Sequence, residues 1–344
     1  ETLEHAIALL AESGGRLLAG GTDFYPGLMD APASGPILDL RRLSALRGIV
    51  REEDGWRIGA MTTWRDIARA ELPALFGGLQ LAAREVGSIQ IQNAGTVAGN
   101  ICNASPAADG VPALLTLDAL IEIAGPSGTR VVPLDAFITG VRRTVLEPGE
   151  IVTAVLVPDC PGAMSSFKKL GARRYLVISI AMVAATLVLD NAGKISEARL
   201  AVGSCSAVAR RLPALEANLI GILPEEDDIR SLVAAAALEE LTPLSDVRGS
   251  AEYRLEAARE LFIVTTYSQN RIFVRIPFIA EVNIPGCQRP DSRTTTCVNA
   301  ADKIIPIDQG RRRGGCFLWL RGQFNGGLFL GFFLQWFCIK EEIA

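Results

Sequence analysis

Two glycine-rich segments hold the residues best suited to chemistry. The first is Leu18-Ala19-Gly20-Gly21-Thr22-Asp23, directly after a short apolar run. Glycines let a backbone turn sharply and approach a ligand closely. Consecutive N–H groups in such a turn form a concave nest for phosphate oxygens, and Thr22 adds a hydroxyl. A plain strand-to-loop turn is the alternative. The second segment runs from Asn93 to Asp109 and is small-sided and polar. Gly95, Ala98, Gly99 and Ala104 would let a flat or extended ligand lie against backbone, and Asp109 could accept hydrogen bonds from sugar-type hydroxyls. Here a tight turn capped by Asp109 is the alternative. Neither segment is a Walker loop, because no Lys follows the glycines at the required spacing, and neither is GxGxxG.

The elements that must position these segments follow from periodicity. Leu3 to Leu10 has helical spacing stopped by Gly14-Gly15, and Arg16 to Ala19 reads as a short strand. Ile37 to Leu40 and Trp56 to Ala60 read as strands. Thr63 starts a helix to Ala70, and a second spans Ala74 to Val86. Ile89 to Gln92 leads into a glycine-rich loop at Gly95. A hairpin is expected over Ala119–Ala124 and Thr129–Pro133, and a strand over Ile151–Pro158. Pro158 to Gly162 is the best candidate boundary. Beyond it come strands at Met164–Leu170, Ile178–Leu189 and Ile195–Val202, then helices at Leu212–Leu219 and Asp227–Leu241. Strands and helices mix without regular βαβ alternation, an α+β pattern.

The chain has 344 residues, enough for two or three modules. Its net charge of −4 gives no electrostatic reason for a nucleic-acid partner. Seven cysteines without paired spacing suggest neither a disulfide framework nor a zinc site, so a reducing cytoplasm is expected. No signal peptide is expected at the start. Composition changes after Phe262: residues 1–262 carry a net −8, residues 263–344 a net +4. The latter part holds four of the seven cysteines and eight of the 13 phenylalanines. It is expected to be an atypical, poorly ordered tail, from a frameshift, misassembly or fusion. Its apolar end, Gly326 to Ile339, falls short of the roughly 20 residues a membrane helix needs.

LAGGTD followed by QNAGTVAGNICNASPAAD resembles the paired FAD loops of the molybdopterin-dehydrogenase flavoprotein family, the FAD subunits of xanthine and carbon monoxide dehydrogenases. Further matches follow in order: Glu150-Ile151-Val152, then Phe167 to Arg174, and Ser250-Ala251-Glu252-Tyr253-Arg254 in a closing helix. The resemblance covers about residues 1–262. It implies a vanillyl-alcohol-oxidase-like (PCMH-type) FAD-binding domain over 1–158, with subdomains of about 1–50 and 51–158. A C-terminal domain over 163–262 would hold a three-stranded sheet and a helical bundle.

Carried over by motif, Ala19, Gly20, Gly21, Thr22 and Asp23, with Thr96, Gly99 and Asn100, would hold the pyrophosphate and adjoining sugar. Ser105 and Asp109 would face the ribityl–phosphate region, and Ile151 and Val152 would lie near the flavin ring. Lys169 would approach the ring's polar edge, with Lys168 as its rival on the other face. Phe24-Tyr25 replaces the family's usual aliphatic residues and reads as packing; Cys102 reads as a small filler. The one histidine, His5, lies on the first helix, so non-covalent FAD is expected. The resemblance further implies a molybdopterin-binding large subunit and a [2Fe-2S] small subunit as partners, with NAD+, a quinone or another molecule as electron acceptor. The competing readings are a free-standing flavoprotein oxidase of the same fold and a non-catalytic phosphate-binding or scaffold protein. A damaged gene product is a third.

Overall fold

The computed structural model describes residues 2–275, apart from Asp30, Arg174 and Tyr175. All belong to one compact unit, residues 1–280. Helix α1 (Leu3–Ser13) starts where the Thr2 side chain accepts from the His5 amide. Strand β1 (Arg16–Leu18), the short helix α2 (Phe24–Leu28) and β2 (Ile37–Asp39) follow, with β1 and β2 paired in parallel. Ala6, Leu10, Leu40, Leu43 and Leu46 form a small core that reaches Met61 and Ile151.

The next layer holds β3 (Ile49–Glu52), β4 (Gly55–Gly59), α3 (Trp64–Arg69) and α4 (Gly77–Glu85), then α5 (Ile89–Ala94), α6 (Val97–Asn103) and α7 (Gly110–Thr116). Strands β5 (Leu120–Gly125) and β6 (Gly128–Pro133) make the expected hairpin. Helix α8 (Leu134–Phe137), β7 (Ile138–Gly140), β8 (Arg143–Thr144) and β9 (Ile151–Pro158) complete the region. The main sheet runs β3-β4-β9-β5-β6, all antiparallel. Thr63 closes a capping box on α3: its hydroxyl accepts from the Asp66 amide while the Asp66 carboxylate accepts from the Thr63 amide.

A second sheet follows, ordered β10 (Met164–Leu170), β11 (Ala181–Leu189), β12 (Ile195–Gly203) and β13 (Arg210–Arg211), the last a two-residue edge. Strand β11 is an almost unbroken apolar run because both its faces are covered. Met182 and Ala184 join the core shared with Leu79 and Leu114 of α4 and α7. Ala181, Val183, Ala185 and Leu187 join the core built with α9 (Pro213–Leu219), α10 (Glu226–Ala235) and α11 (Ala251–Arg275).

Three expectations change. The stretch read as a glycine-rich loop around Gly95 is largely helical, with α5 and α6 on either side of it. Helix α7 was not anticipated: every one of its residues is buried, so it has no amphipathic period to betray it. The compositional seam at 262 is not the end of an element, since α11 runs on to Arg275 and Ile263, Thr265 and Thr266 are buried. The remainder of the expected tail, 276–344, lies outside the described residues. No described helix is long and apolar enough to cross a membrane.

Candidate functional site

The two glycine-rich segments meet. Gly20 packs so tightly on the second segment that a Cβ there would overlap the Ala94 carbonyl oxygen. Gly21 has φ +74°, a left-handed conformation that disfavours side chains. The pair walls a cleft of about 450 Å³, within the range of small-molecule and cofactor sites. Ala19, Gly20, Gly21, Thr22 and Asp23 line it from one side and Thr96, Gly99 and Asn100 from the other. Ile151 and Val152, both buried at the start of β9, form part of its wall.

The segments differ in how their backbone is used. Among the described residues, the amides of Gly20, Gly21, Thr22 and Asp23 donate to no protein acceptor. In the second segment the Val97 and Ala98 amides donate to Thr62 and Ala60 carbonyls at 3.0 and 3.3 Å. The Gly99 amide donates to Thr96 Oγ1 at 3.1 Å, so Thr96 is the cap of α6. Asn100 presents a different opening: its Oδ1 is buried and has no hydrogen-bond partner.

A second recess, about 360 Å³, shares Val86, Ile91 and Asn100 with the first and extends to Asp109, Val177 and Ser179. Asp109 sits here rather than in the main cleft. Its Oδ2 accepts from Lys169 Nζ at 2.8 Å and its Oδ1 from Ser179 Oγ at 2.6 Å. Both charged side chains are about nine-tenths buried or more. Burial pushes the Asp109 carboxyl above the usual carboxylate range, opposed by the ammonium beside it and by Ser179. Lys169 also donates to the Glu85 carbonyl at 3.1 Å, so one ammonium joins β10, the end of α4 and Asp109.

Other expected site residues fall elsewhere. Ser105 lines neither cavity; its hydroxyl accepts from the Ala107 amide at 3.2 Å and shapes the turn after α6. Lys169 lines neither and is held behind the second recess. Lys168 is exposed, as is His5. Asp23 pairs with Arg142 at 2.7 Å in an exposed bridge. Cys102, half-buried, does line the cleft, and burial pushes its thiol up to about 12, which disfavours the thiolate.

Sequence reasoning overlooked Trp64 and Ser179. Trp64 is fully buried at the cleft, against Gly95 and Gly110, and its position at the first turn of a capped helix was the available signal. Nothing in the sequence marks Ser179, 70 residues from the carboxylate it serves. Phe24, expected only to pack, lines the cleft with the Arg16 guanidinium 4.8 Å from its ring centre. Among the described residues no cluster of three His, Cys, Asp or Glu side chains is placed to hold a metal.

The chain is similar to known proteins in sequence and fold. Residues 1–160 match the FAD binding domain in molybdopterin dehydrogenase, and residues 165–267 the CO dehydrogenase flavoprotein C-terminal domain. The xanthine dehydrogenase FAD-binding subunit of Escherichia coli O157:H7 is 36% identical over 264 residues, 74% of this chain and 88% of that one. The glyceraldehyde dehydrogenase medium chain of Sulfolobus acidocaldarius is 32% identical over 268 residues, 76% of this chain and 93% of that one. Among solved structures, carbon monoxide dehydrogenase from Hydrogenophaga pseudoflava superposes with a TM-score of 0.70 at 29% identity, covering 80% of this chain and 95% of that one.

Proposed function

The chain belongs to the family of FAD-binding subunits of molybdopterin dehydrogenases, and from that membership we propose that it is the FAD-carrying, electron-transferring subunit of a molybdenum hydroxylase. In this reading a molybdopterin-binding large subunit oxidises the organic substrate and a [2Fe-2S] small subunit relays single electrons. FAD, when bound, supplies the exchange between one-electron delivery and two-electron transfer to NAD+, a quinone or another acceptor. The named relatives serve complexes with unrelated substrates, xanthine and glyceraldehyde. That diversity fits a subunit that does not select the organic substrate.

One observation carries the cofactor assignment: the free amides of Gly20, Gly21, Thr22 and Asp23 at a cleft where Gly20 leaves no room for a side chain. Four unpaired donors at a phosphate-sized turn suit a pyrophosphate. Ala19 and Thr22 flank that cradle, and Thr96, Gly99 and Asn100 wall the opposite side. The orphaned Asn100 Oδ1 is an acceptor that a hydroxyl or amide of the cofactor would satisfy. Ile151 and Val152 give an apolar wall against which a flat ring would lie and exclude water. Asp109 would order the cofactor's polar groups at the second recess, and Lys169 would keep that carboxylate fixed and lend positive potential nearby.

A free-standing oxidase would need an acid or base at the cleft, and Asp23, exposed and paired with Arg142, is the one carboxylate among its lining residues. The test is direct. The purified chain should be yellow, acid precipitation should release all its flavin, and it should capture the two partner subunits. A colourless protein overturns the assignment. Flavin left in the pellet overturns non-covalent binding.

A further inference from the structure

Arg254 lies in the first turn of α11, far in sequence from both glycine-rich segments, yet it is 5% exposed. Its guanidinium is not part of an ordinary surface pair. One nitrogen, Nη1, donates to the carbonyls of Ile180 at 2.6 Å and Ser204 at 3.0 Å. The other, Nη2, donates to Asp246 Oδ1 at 2.6 Å. The planar fork therefore ties the entry of β11 to the exit of β12.

Both tied residues lead to the second glycine-rich segment. Ser179 precedes Ile180, and its hydroxyl donates to Asp109 at 2.6 Å. The Ser204 amide donates to the Pro106 carbonyl at 3.0 Å. Ser204 itself has φ +62°, a strained backbone that must be held from outside. Arg254 on its carbonyl and Pro106 on its amide are the holders. Two hydrogen bonds thus cross from the second sheet to Pro106 and Asp109, and a single side chain grips the backbone beside each.

We propose that Arg254 is a positioning residue for the cofactor site, setting Asp109 and the turn before it through Ser179 and Ser204. The proposal rests on the reading that Asp109 faces the cofactor. In this role α11, the last described element, governs how firmly the flavin-side carboxylate is placed.

The experiment is a double-mutant cycle on the full chain, stripped of flavin and titrated with FAD by fluorescence quenching. Arg254→Lys keeps the charge beside Asp246 and loses the fork. Ser179→Ala removes the link to Asp109. Each is expected to weaken FAD binding by about tenfold, as for a lost hydrogen bond to a charged group. Together they should weaken it by clearly less than the product of the two, because they break one path. Phe262→Leu, in the same helix and fully buried, should lower the melting temperature without changing FAD affinity. Asp246→Asn loosens the same guanidinium from the surface side and should give a smaller shift of the same sign. Unchanged affinity in Ser179→Ala overturns the Asp109 reading and this proposal with it. If Ser179→Ala weakens binding while Arg254→Lys and Asp246→Asn do not, or if the effects simply multiply, only the role of Arg254 falls.

Discussion

The two glycine-rich segments look alike as sequence and do opposite things with their backbone. Gly20 to Asp23 leaves four amides without protein acceptors, at the wall of the cleft. Val97 to Asn100 commits every amide internally, to Ala60, Thr62 and Thr96. Small side chains in the first segment allow contact with a ligand through N–H groups. In the second they allow a short helix to pack against its neighbours, and they bring Asp109 to a buried pair with Lys169. Glycine content alone does not tell a donor loop from a packing element; the destination of each N–H does.

The sharpest break between the segments is expected at Asp109. Asp109→Ala leaves the Lys169 ammonium buried without its partner, which costs about 3–5 kcal/mol in comparable buried pairs. Thermal melting of the flavin-free chain should show the loss before any cofactor is added. A melting temperature equal to that of the parent would remove the second segment's structural role. Gly20→Ala should act the other way round. Its Cβ meets backbone of the second segment and would push the two apart, an overpacking cost of about 1–3 kcal/mol. FAD affinity should fall by about 10- to 100-fold from the displaced amides, by the same range. Undiminished FAD binding would mean that the first segment is not the donor.

Thr96→Ala is the intermediate case. It removes the cap on the Gly99 amide, worth about 1 kcal/mol. If the second segment acts through shape, stability should fall by that amount and FAD affinity only slightly. A larger loss of affinity than of stability, measured on the same preparation, would make Thr96 a ligand in its own right.

Much of this arrangement was legible beforehand, and the misses share a cause. The β9 strand is found at Ile151–Pro158 as expected, because its residue types fit a pleated, buried run. Gly99, Asn100 and Asn103 are poor helix formers, so the sequence favours a loop where α6 forms. Thr96 and the carbonyls of Ala60 and Thr62, which satisfy its first turn, outweigh that preference. Part of the cleft lining, Ala19 to Asp23 with Thr96, Gly99, Asn100, Ile151 and Val152, was legible from the motifs; Trp64 was not, and Ser105 lies outside it. The pairing of Asp109 with Lys169 and Ser179 was not, since 60 and 70 residues separate the partners. Long-range pairing of charges follows from the fold and leaves no local pattern.

The smallest effect belongs to a control that touches neither segment. Glu122 of β5 accepts from Arg57 of β4 through both oxygens, at 2.7 and 2.6 Å, and from Thr153 of β9. The network ties together the three central strands of the sheet, whose last member in chain order, β9, supplies Ile151 and Val152. The Arg57 hydrogen bond holds the Glu122 carboxyl below its ordinary value, against the opposing effect of burial. A depressed carboxylate stabilises the fold above its ordinary range and loses that contribution as pH falls through the depressed value. The pair is partly exposed, so solvent screening limits it to about 0.5–1 kcal/mol. Glu122→Gln should therefore be less stable than the parent at neutral pH by that small amount, with the gap closing as the solution is acidified below the ordinary glutamate range. FAD affinity at neutral pH should not move, because the cleft's donors and walls keep their places. A gap that widened on acidification would reverse the sign of the linkage, and a change in FAD affinity would show that the sheet, and not the contrast between the two segments, sets the strength of the site.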